Sequence, residues 1–277
     1  MRFGAPLFGD VSDPGAWVRA VQTHGYTAAY CPVGGDADDT VCRAYSRAAD
    51  AAGIVIAEVG AWSNPLSTND GVRAAAVAHC QTQLALADRI GARCCVNISG
   101  SCGTQWDGPD PLNLTPDTFD RIVETTRAII DAVKPTRAYY ALETMPWAYP
   151  DSPESYLRLI EAIGRDRFAV HLDPVNLISS PQRFFENGAF IRQCFQLLGP
   201  HIRSCHAKDV TLSGKLTVHL DETRPGTGGL DYPVFLRELN RLPPDTTLML
   251  EHLPSAEEYG LAAAHVRAVA LAEGIAL

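Results

Sequence analysis

The chain has only three lysines, Lys134, Lys208 and Lys215, and no stretch in which Lys and Arg cluster. Lys and Arg together number 23 against 32 Asp and Glu, a formal net charge of −9. A nucleic-acid surface needs a basic patch, so this balance points to a small-molecule partner instead. Neither G-x-G-x-x-G nor G-x-x-x-x-G-K-[ST] occurs, which removes the usual phosphate loop of a doubly wound sheet. No two of the eight cysteines stand in a C-x-x-C pair. They read as small buried hydrophobes in a reducing compartment, not as a disulfide frame. No apolar run is long enough to span a membrane, and Met1–Pro6 has no apolar region of the signal-peptide kind. The cytoplasm is the expected location.

What the chain does have is apolar content, 46% hydrophobic against 20% charged, enough for a large core. The pattern alternates short apolar runs with longer helical periodicity. Strands are expected near Arg2–Leu7, Ala28–Cys31, Ile54–Val59 and Arg93–Ile98, and then in four runs closed by a polar residue. Those four runs are Ala138–Leu142 before Glu143, Phe168–Leu172 before Asp173, Ile202–Cys205 before His206 and Thr247–Leu250 before Glu251. Helix starts follow as cap-and-proline signals at Ser12-Asp13-Pro14, Thr115-Pro116-Asp117, Ser152-Pro153-Glu154 and Asp231-Tyr232-Pro233. An Asp-rich start at Asp36–Asp39, Thr68-Asn69-Asp70, Pro181 and Ser255 open the other helices, the one from Pro181 running to Leu198. Eight strand–helix units over residues 1–277 predict a single (β/α)8 TIM barrel, whose usual length is roughly 250 residues. The longest loops, Ser99–Leu114 and Val210–Leu230, fall on the C-terminal side of the strands, which marks that face as the working one.

Two Glu, one Asp and one His at the ends of four consecutive strands converge at the mouth of such a barrel. Three carboxylates and an imidazole suit one divalent cation, with Mn²⁺ or Mg²⁺ favoured by the oxygens and Co²⁺ or Zn²⁺ compatible. A cation with open positions can chelate a carbonyl and a neighbouring hydroxyl and ease removal of the α-proton. Glu143 and Glu251 come from strands far enough apart to serve as acid and base on opposite faces of the substrate. His171 alternates with Asp173, one layer down. Lys208 alternates with His206, where it can pair with a ligand carboxylate or touch substrate. Glu58, Trp62, Asn97, Trp106, Trp147, His219 and Asp221 are further candidates for the pocket wall.

Ala141-Leu142-Glu143, His171-Leu172-Asp173-Pro174-Val175-Asn176, His206-Ala207-Lys208-Asp209, Arg224-Pro225-Gly226-Thr227-Gly228 and Leu250-Glu251-His252 resemble the sugar phosphate isomerase/epimerase superfamily of xylose-isomerase-like barrels. The resemblance runs over essentially the whole chain. It implies Glu143, Asp173, His206 and Glu251 as metal ligands, and Glu143 and Glu251 as the acid/base pair of a ketose epimerase-like reaction through a cis-enediolate. It also implies that Arg224 reaches the substrate or holds the loop beside the metal. Ketose 3-epimerases often carry His three residues after the Asp ligand. Asn176 stands there in this chain, able to hydrogen-bond a hydroxyl but not to shuttle a proton.

The expected activity is therefore a metal-dependent isomerase or epimerase of carbohydrate metabolism, acting on a keto-sugar or polyol derivative. The same groups also serve a lyase of the inosose dehydratase or dehydroshikimate dehydratase kind, or a C-glycoside-cleaving one. A non-catalytic sugar-binding barrel is the remaining alternative, and a homo-oligomer is compatible with the sequence. Endonuclease IV shares the barrel, but it needs a His-rich metal cluster and a basic face, and this chain has eight His and a net charge of −9.

Overall fold

In the computed structural model, which describes residues 1–9 and 11–277, the short apolar runs are parallel strands and the periodic segments are helices packed outside them. The first half comprises β1 (Arg2–Gly4), α1 (Pro14–Thr23), β2 (Ala28–Ala29), α2 (Asp39–Ala52), β3 (Val55–Ile56), β4 (Glu58–Gly60), α3 (Asp70–Ile90) and β5 (Cys94–Asn97). There follow α4 (Pro116–Val133), β6 (Tyr139–Glu143), α5 (Pro153–Ile163), β7 (Phe168–Leu172), α6 (Pro181–Phe185), α7 (Asn187–Leu198) and β8 (Ile202–Ala207). The chain ends with β9 (Asp209–Ser213), β10 (His219–Thr223), α8 (Tyr232–Leu239), β11 (Thr247–Leu250) and α9 (Ala256–Ala272).

A curled parallel sheet runs β1-β11-β8-β7-β6-β5-β4, and β2 pairs in parallel with β3. Backbone hydrogen bonds join these pieces into a ring: Thr27 N–H donates to Phe3 O (2.9 Å) on one side, and Cys31 N–H to Glu58 O (3.0 Å) and Arg93 N–H to Ile56 O (2.9 Å) on the other. β3 and β4 are one barrel strand interrupted at Ala57, so the fold is the expected TIM barrel. Gly4 makes the closure possible, because a Cβ there would sit 2.2 Å from Ala28 O. β1 stops at Gly4, short of the expected Leu7, and Pro6 beyond it has no N–H to offer a ladder.

The helices begin where the caps predicted. Asp13, Asn69, Thr115, Ser152, Asp231 and Ser255 each accept a backbone N–H of the first turn. Two expectations change. The helix from Pro181 is two helices, broken at Glu186. Asn187 explains the break: its Nδ2 donates to Phe184 O (2.7 Å) and Gly229 O (2.9 Å), and its Oδ1 accepts Asp231 N–H (2.7 Å). That side chain ties the helix to the segment that returns from the barrel mouth. The Val210–Leu230 loop is partly regular: β9 and β10 form an antiparallel hairpin from Asp209↔Thr223 to Ser213↔His219.

The main core lies between sheet and helices, around Trp17, Leu84, Ile129, Leu159, Leu198 and Phe235. The opposite face of the strands carries small side chains low in the lumen, such as Ala141 and Ala169. All eight cysteines are free and seven are buried. Among the described residues no helix is long and apolar enough to cross a membrane.

Candidate metal centre and substrate cavity

Strand alternation builds the site. Tyr140 and Leu142, Val170 and Leu172, Cys205 and Ala207, and Leu248 and Leu250 belong to the core outside the sheet. The residues of opposite parity therefore turn into the lumen, with Glu143, Asp173, His206 and Glu251 at the top. One donor atom from each of these four lies within 4.8 Å of every other. His206 Nδ1 is 2.8 Å from Glu251 Oε1 and 3.2 Å from Glu143 Oε1. All four are buried, Glu251 the least so at 9% exposure.

Lys208, one residue beyond β8, brings its ammonium into the same cluster. Nζ is 2.6 Å from Glu251 Oε1, 2.9 Å from Asp173 Oδ2, 3.4 Å from Glu222 Oε2 and 3.7 Å from Glu143 Oε1. Burial opposes the charged amine, but Asp173, Glu143, Glu251 and Glu222 outweigh it and keep Lys208 protonated well above the usual lysine range. Burial also opposes protonation of His206, and the charges of Glu251 and Glu143 reverse that, lifting its pKa well above the ordinary value. Glu143 is pushed up by burial and by the neighbouring Glu251. Burial alone would raise Glu251 as well, yet His206 and Lys208 hold it below the usual carboxylate range.

The cluster fits a divalent cation. Asp173 Oδ1 accepts the N–H groups of Val175 (2.9 Å) and Asn176 (3.3 Å), which leaves Oδ2 turned into the cluster. Asp173 Oδ2 and Glu251 Oε1 are buried and reach Lys208 at ion-pair distance, but neither takes a well-directed hydrogen bond. Converging carboxylate oxygens with unspent lone pairs beside an imidazole are the donor set of a metal site.

Below the cluster lies a second polar layer. Glu58 Oε2 is 3.5 Å from His206 Nε2, and Glu58 Oε1 accepts Ser204 Oγ–H (3.2 Å), whose oxygen in turn accepts Thr247 Oγ1–H (2.9 Å). Neither Glu58 Oε2 nor His206 Nε2 makes a well-directed hydrogen bond, so Glu58 acts on the imidazole through its charge at close range. His171 packs edge-on against His206 with ring centroids 4.0 Å apart. Burial, and then the charge of His206, hold its pKa well below the ordinary value.

The cluster forms the floor of a 730 Å³ cavity whose walls include Trp62, Trp106 and Trp147. Glu143, His206, Lys208, Glu251 and Asn176 face it, and Asp173 stands behind them. Asn176 Nδ2 donates to Glu143 Oε1 (3.1 Å) and Thr144 O (3.0 Å), so it braces Glu143 from the cavity wall. Four sequence candidates lie elsewhere. Arg224 does not line the cavity; its Nε pairs with Glu258 Oε2 at 2.8 Å. His219 and Asp221 are exposed on β10. Asn97 is buried against Cys80 Sγ (3.3 Å). Glu58 and His171 lie under the cavity, not on its wall.

Sequence reasoning missed Glu222, His252 and Tyr30, all of which line the cavity. Glu222 pairs with His252 at 3.3 Å, and Tyr30 Oη donates to Leu250 O (3.1 Å). The one available signal was His252, next to a proposed ligand.

The sequence pattern of the xylose isomerase-like TIM barrel family matches residues 18–269. A search of the curated proteins found no match. Among solved structures, a xylose isomerase domain protein from Planctomyces limnophilus superposes with a TM-score of 0.69 at 18% identity, covering 99% of this chain and 97% of that one. D-psicose 3-epimerase from Clostridium cellulolyticum H10, solved with D-tagatose, gives 0.65 at 12% identity over 99% and 98%. Endonuclease IV from Thermus thermophilus gives 0.70 at 17% identity over 98% and 100%. At these identities the structures share a fold and differ in chemistry. The family match, together with the closed barrel beneath it, shows that the chain belongs to the xylose isomerase-like TIM barrel family.

Proposed function

We propose that this protein is a divalent-metal-dependent isomerase or epimerase of a keto-sugar or polyol derivative, working in the cytoplasm. The observation that carries the reading is that Glu143 and Glu251 belong to one ligand cluster with Asp173 and His206 and both face a cavity of substrate size. Those four residues would hold Mn²⁺ or Mg²⁺. With the cation bound, the site gains a Lewis acid that acidifies the carbon next to a carbonyl. The chain's own groups do the rest. Glu143 and Glu251 take the α-proton and return one, each with a carboxylate oxygen beside the cavity. Asn176 braces Glu143, Glu58 acts on His206 through its charge, and Lys208 offsets the negative charge of the floor.

Two amide-for-carboxylate variants, Glu143→Gln and Glu251→Gln, test the reading. Each should lose exchange of the α-proton of a ketose with deuterated water by roughly 10²–10⁴-fold, the usual contribution of a positioned acid or base. Unchanged exchange in both variants would sink the mechanism.

A lyase outcome on the same groups is favoured by one observation. Residue 176 is Asn, whose amide is committed to Glu143 and Thr144 and moves no proton. After the same proton is removed, a β-hydroxyl leaves as water once the acid of the Glu143 and Glu251 pair protonates it, so no proton has to return to the carbon and residue 176 need not move one. Product mass separates the outcomes, because isomerisation conserves it and dehydration removes one water.

A further inference from the structure

The cavity has two unlike halves. Its floor is the charged cluster. Its outer wall is built from Leu7, Pro32, Met145 and the indoles of Trp62, Trp106 and Trp147. The three indoles come from the loops that follow β4, β5 and β6. They are 43%, 39% and 38% exposed. Two of them have defined settings. Trp147 Nε1 donates to Asp107 O (2.7 Å), which ties its loop to the Trp106 loop. Trp62 folds back over Gly60, where a Cβ would lie 2.4 Å from the indole nitrogen.

Among the described residues none of the three indoles stacks on another ring or carries a cation over its face. Three uncommitted aromatic faces around one opening leave a large apolar area in water unless a ligand covers them.

Size and polarity define that ligand. A volume of 730 Å³ lies inside the roughly 300–1,000 Å³ of pockets that hold drug-sized molecules. A bare monosaccharide is well short of that size, and seated on the polar floor it leaves the outer half to water. A second sugar ring would bring its many hydroxyls to a mostly apolar wall, where the Trp62 and Trp106 N–H groups and Asp107 are the few polar partners left and the others are engaged. Tyr30 Oη donates to Leu250 O (3.1 Å), Tyr259 Oη accepts Leu253 N–H (3.3 Å), and the Trp147 N–H is already used. Unpaired hydroxyls against such a wall are unfavourable, whereas a flat apolar ring needs no partner there and gains stacking.

We propose that the substrate is a keto-sugar bearing a flat aromatic aglycone, with its carbonyl and hydroxyls on the carboxylate floor and the aromatic ring held by the Trp62, Trp106 and Trp147 indoles. The keto-sugar half rests on the reading of the floor given above; the aromatic half rests on the outer wall alone.

Calorimetric titration of the Mg²⁺-loaded protein with methyl β-D-glucoside, phenyl β-D-glucoside and cellobiose tests this, because the three share a sugar and differ only beyond it. Phenyl β-D-glucoside should bind about tenfold tighter than either of the others, the combined effect of one or two aromatic contacts. Trp62→Ala and Trp147→Ala should each reduce that preference while leaving Mg²⁺ affinity at the wild-type value, which shows that the floor is intact. Equal affinity for all three glycosides, or cellobiose as tight as the phenyl glycoside, overturns the proposal even in a protein that exchanges a ketose α-proton. Absence of that exchange with the aryl preference retained refutes the isomerase reading and leaves the aromatic chamber standing.

Discussion

Lys208 Nζ lies 2.6 Å from Glu251 Oε1 and 2.9 Å from Asp173 Oδ2, so one ammonium bridges two carboxylates that come from different strands. Together with His206, whose pKa is lifted against burial by Glu251 and Glu143, it makes the buried cluster tolerable without a cation. Removing one partner of a buried ion pair typically costs about 3–5 kcal/mol, because the other is left uncompensated. Lys208→Met should therefore melt well below the wild type in EDTA. Mg²⁺ should then raise the melting temperature of the variant more than that of the wild type, since the cation replaces the missing charge. Differential scanning fluorimetry with and without Mg²⁺ reads both effects. Equal Mg²⁺ shifts would show that Lys208 does not carry this compensation.

Glu58 acts from below. It touches His206 Nε2 at 3.5 Å and is anchored by Ser204. Glu58→Gln keeps the volume but removes the carboxylate charge that stands 3.5 Å from His206 Nε2. Loss of such a partner of a ligating histidine typically weakens metal binding about 10–100-fold. Titration of the EDTA-treated variant with Mn²⁺ should show that loss with the melting temperature little changed. Wild-type affinity in the variant would leave Glu58 as a lumen-filling residue only.

The four ligand candidates were legible because each ends an apolar strand, and a carboxylate in that position needs a partner. The barrel was legible for a similar reason: caps, prolines and glycines punctuate the helices between apolar runs. Glu222 was not legible. It sits on a short hairpin inside a Gly-rich and Pro-rich segment, and only the fold of β9 and β10 brings it to within 3.4 Å of Lys208. Of the two roles expected of Arg224, touching substrate or holding the loop beside the metal, only the first is at odds with its position. Its neighbourhood matched a motif, but its side chain points to Glu258 on α9. Glu58 was found as a candidate but assigned to the wall, because strand order along the chain does not reveal the depth of a side chain in a tilted barrel.

The two motifs on either side of the hairpin prove to be one device. Asp209 Oδ2 accepts the N–H groups of Gly226 (2.9 Å) and Gly228 (3.0 Å), and Oδ1 those of Val210 (2.8 Å) and Leu230 (2.9 Å). A side chain at position 228 would place its Cβ 2.4 Å from Asp209 Oδ1, so glycine is required there. Asp209→Asn keeps one acceptor oxygen and turns an amide toward the remaining donors. Each buried N–H left without an acceptor costs about 1–3 kcal/mol. The variant should lose stability by at least that amount in denaturant titration. Amide exchange at Gly226 and Gly228 should also accelerate, an effect that a purely global loss of stability would spread evenly.

Asp88 offers a test that is independent of the metal centre. Its Oδ1 accepts the N–H groups of Thr136 (2.8 Å), Arg137 (2.6 Å) and Ala138 (2.9 Å), pinning the end of α3 to the chain that enters β6 and leads to Glu143. Partial burial works to raise its pKa, but the N–H groups of Ala138, Arg137 and Thr136 and the Thr136 hydroxyl together bring it below the usual aspartate value. A carboxyl depressed in the folded state stabilises the fold above its unfolded pKa, near 4, and loses that contribution as pH falls through the folded value. Asp88→Ala should thus be less stable than the wild type at pH 7, by about 1–2 kcal/mol once solvent screening of this half-exposed group is allowed for. The deficit should be constant from pH 7 down to about 5 and shrink below pH 4. Urea titrations of both proteins across that range measure it, and a deficit that did not narrow in acid would assign the loss to packing and not to the charged acceptor.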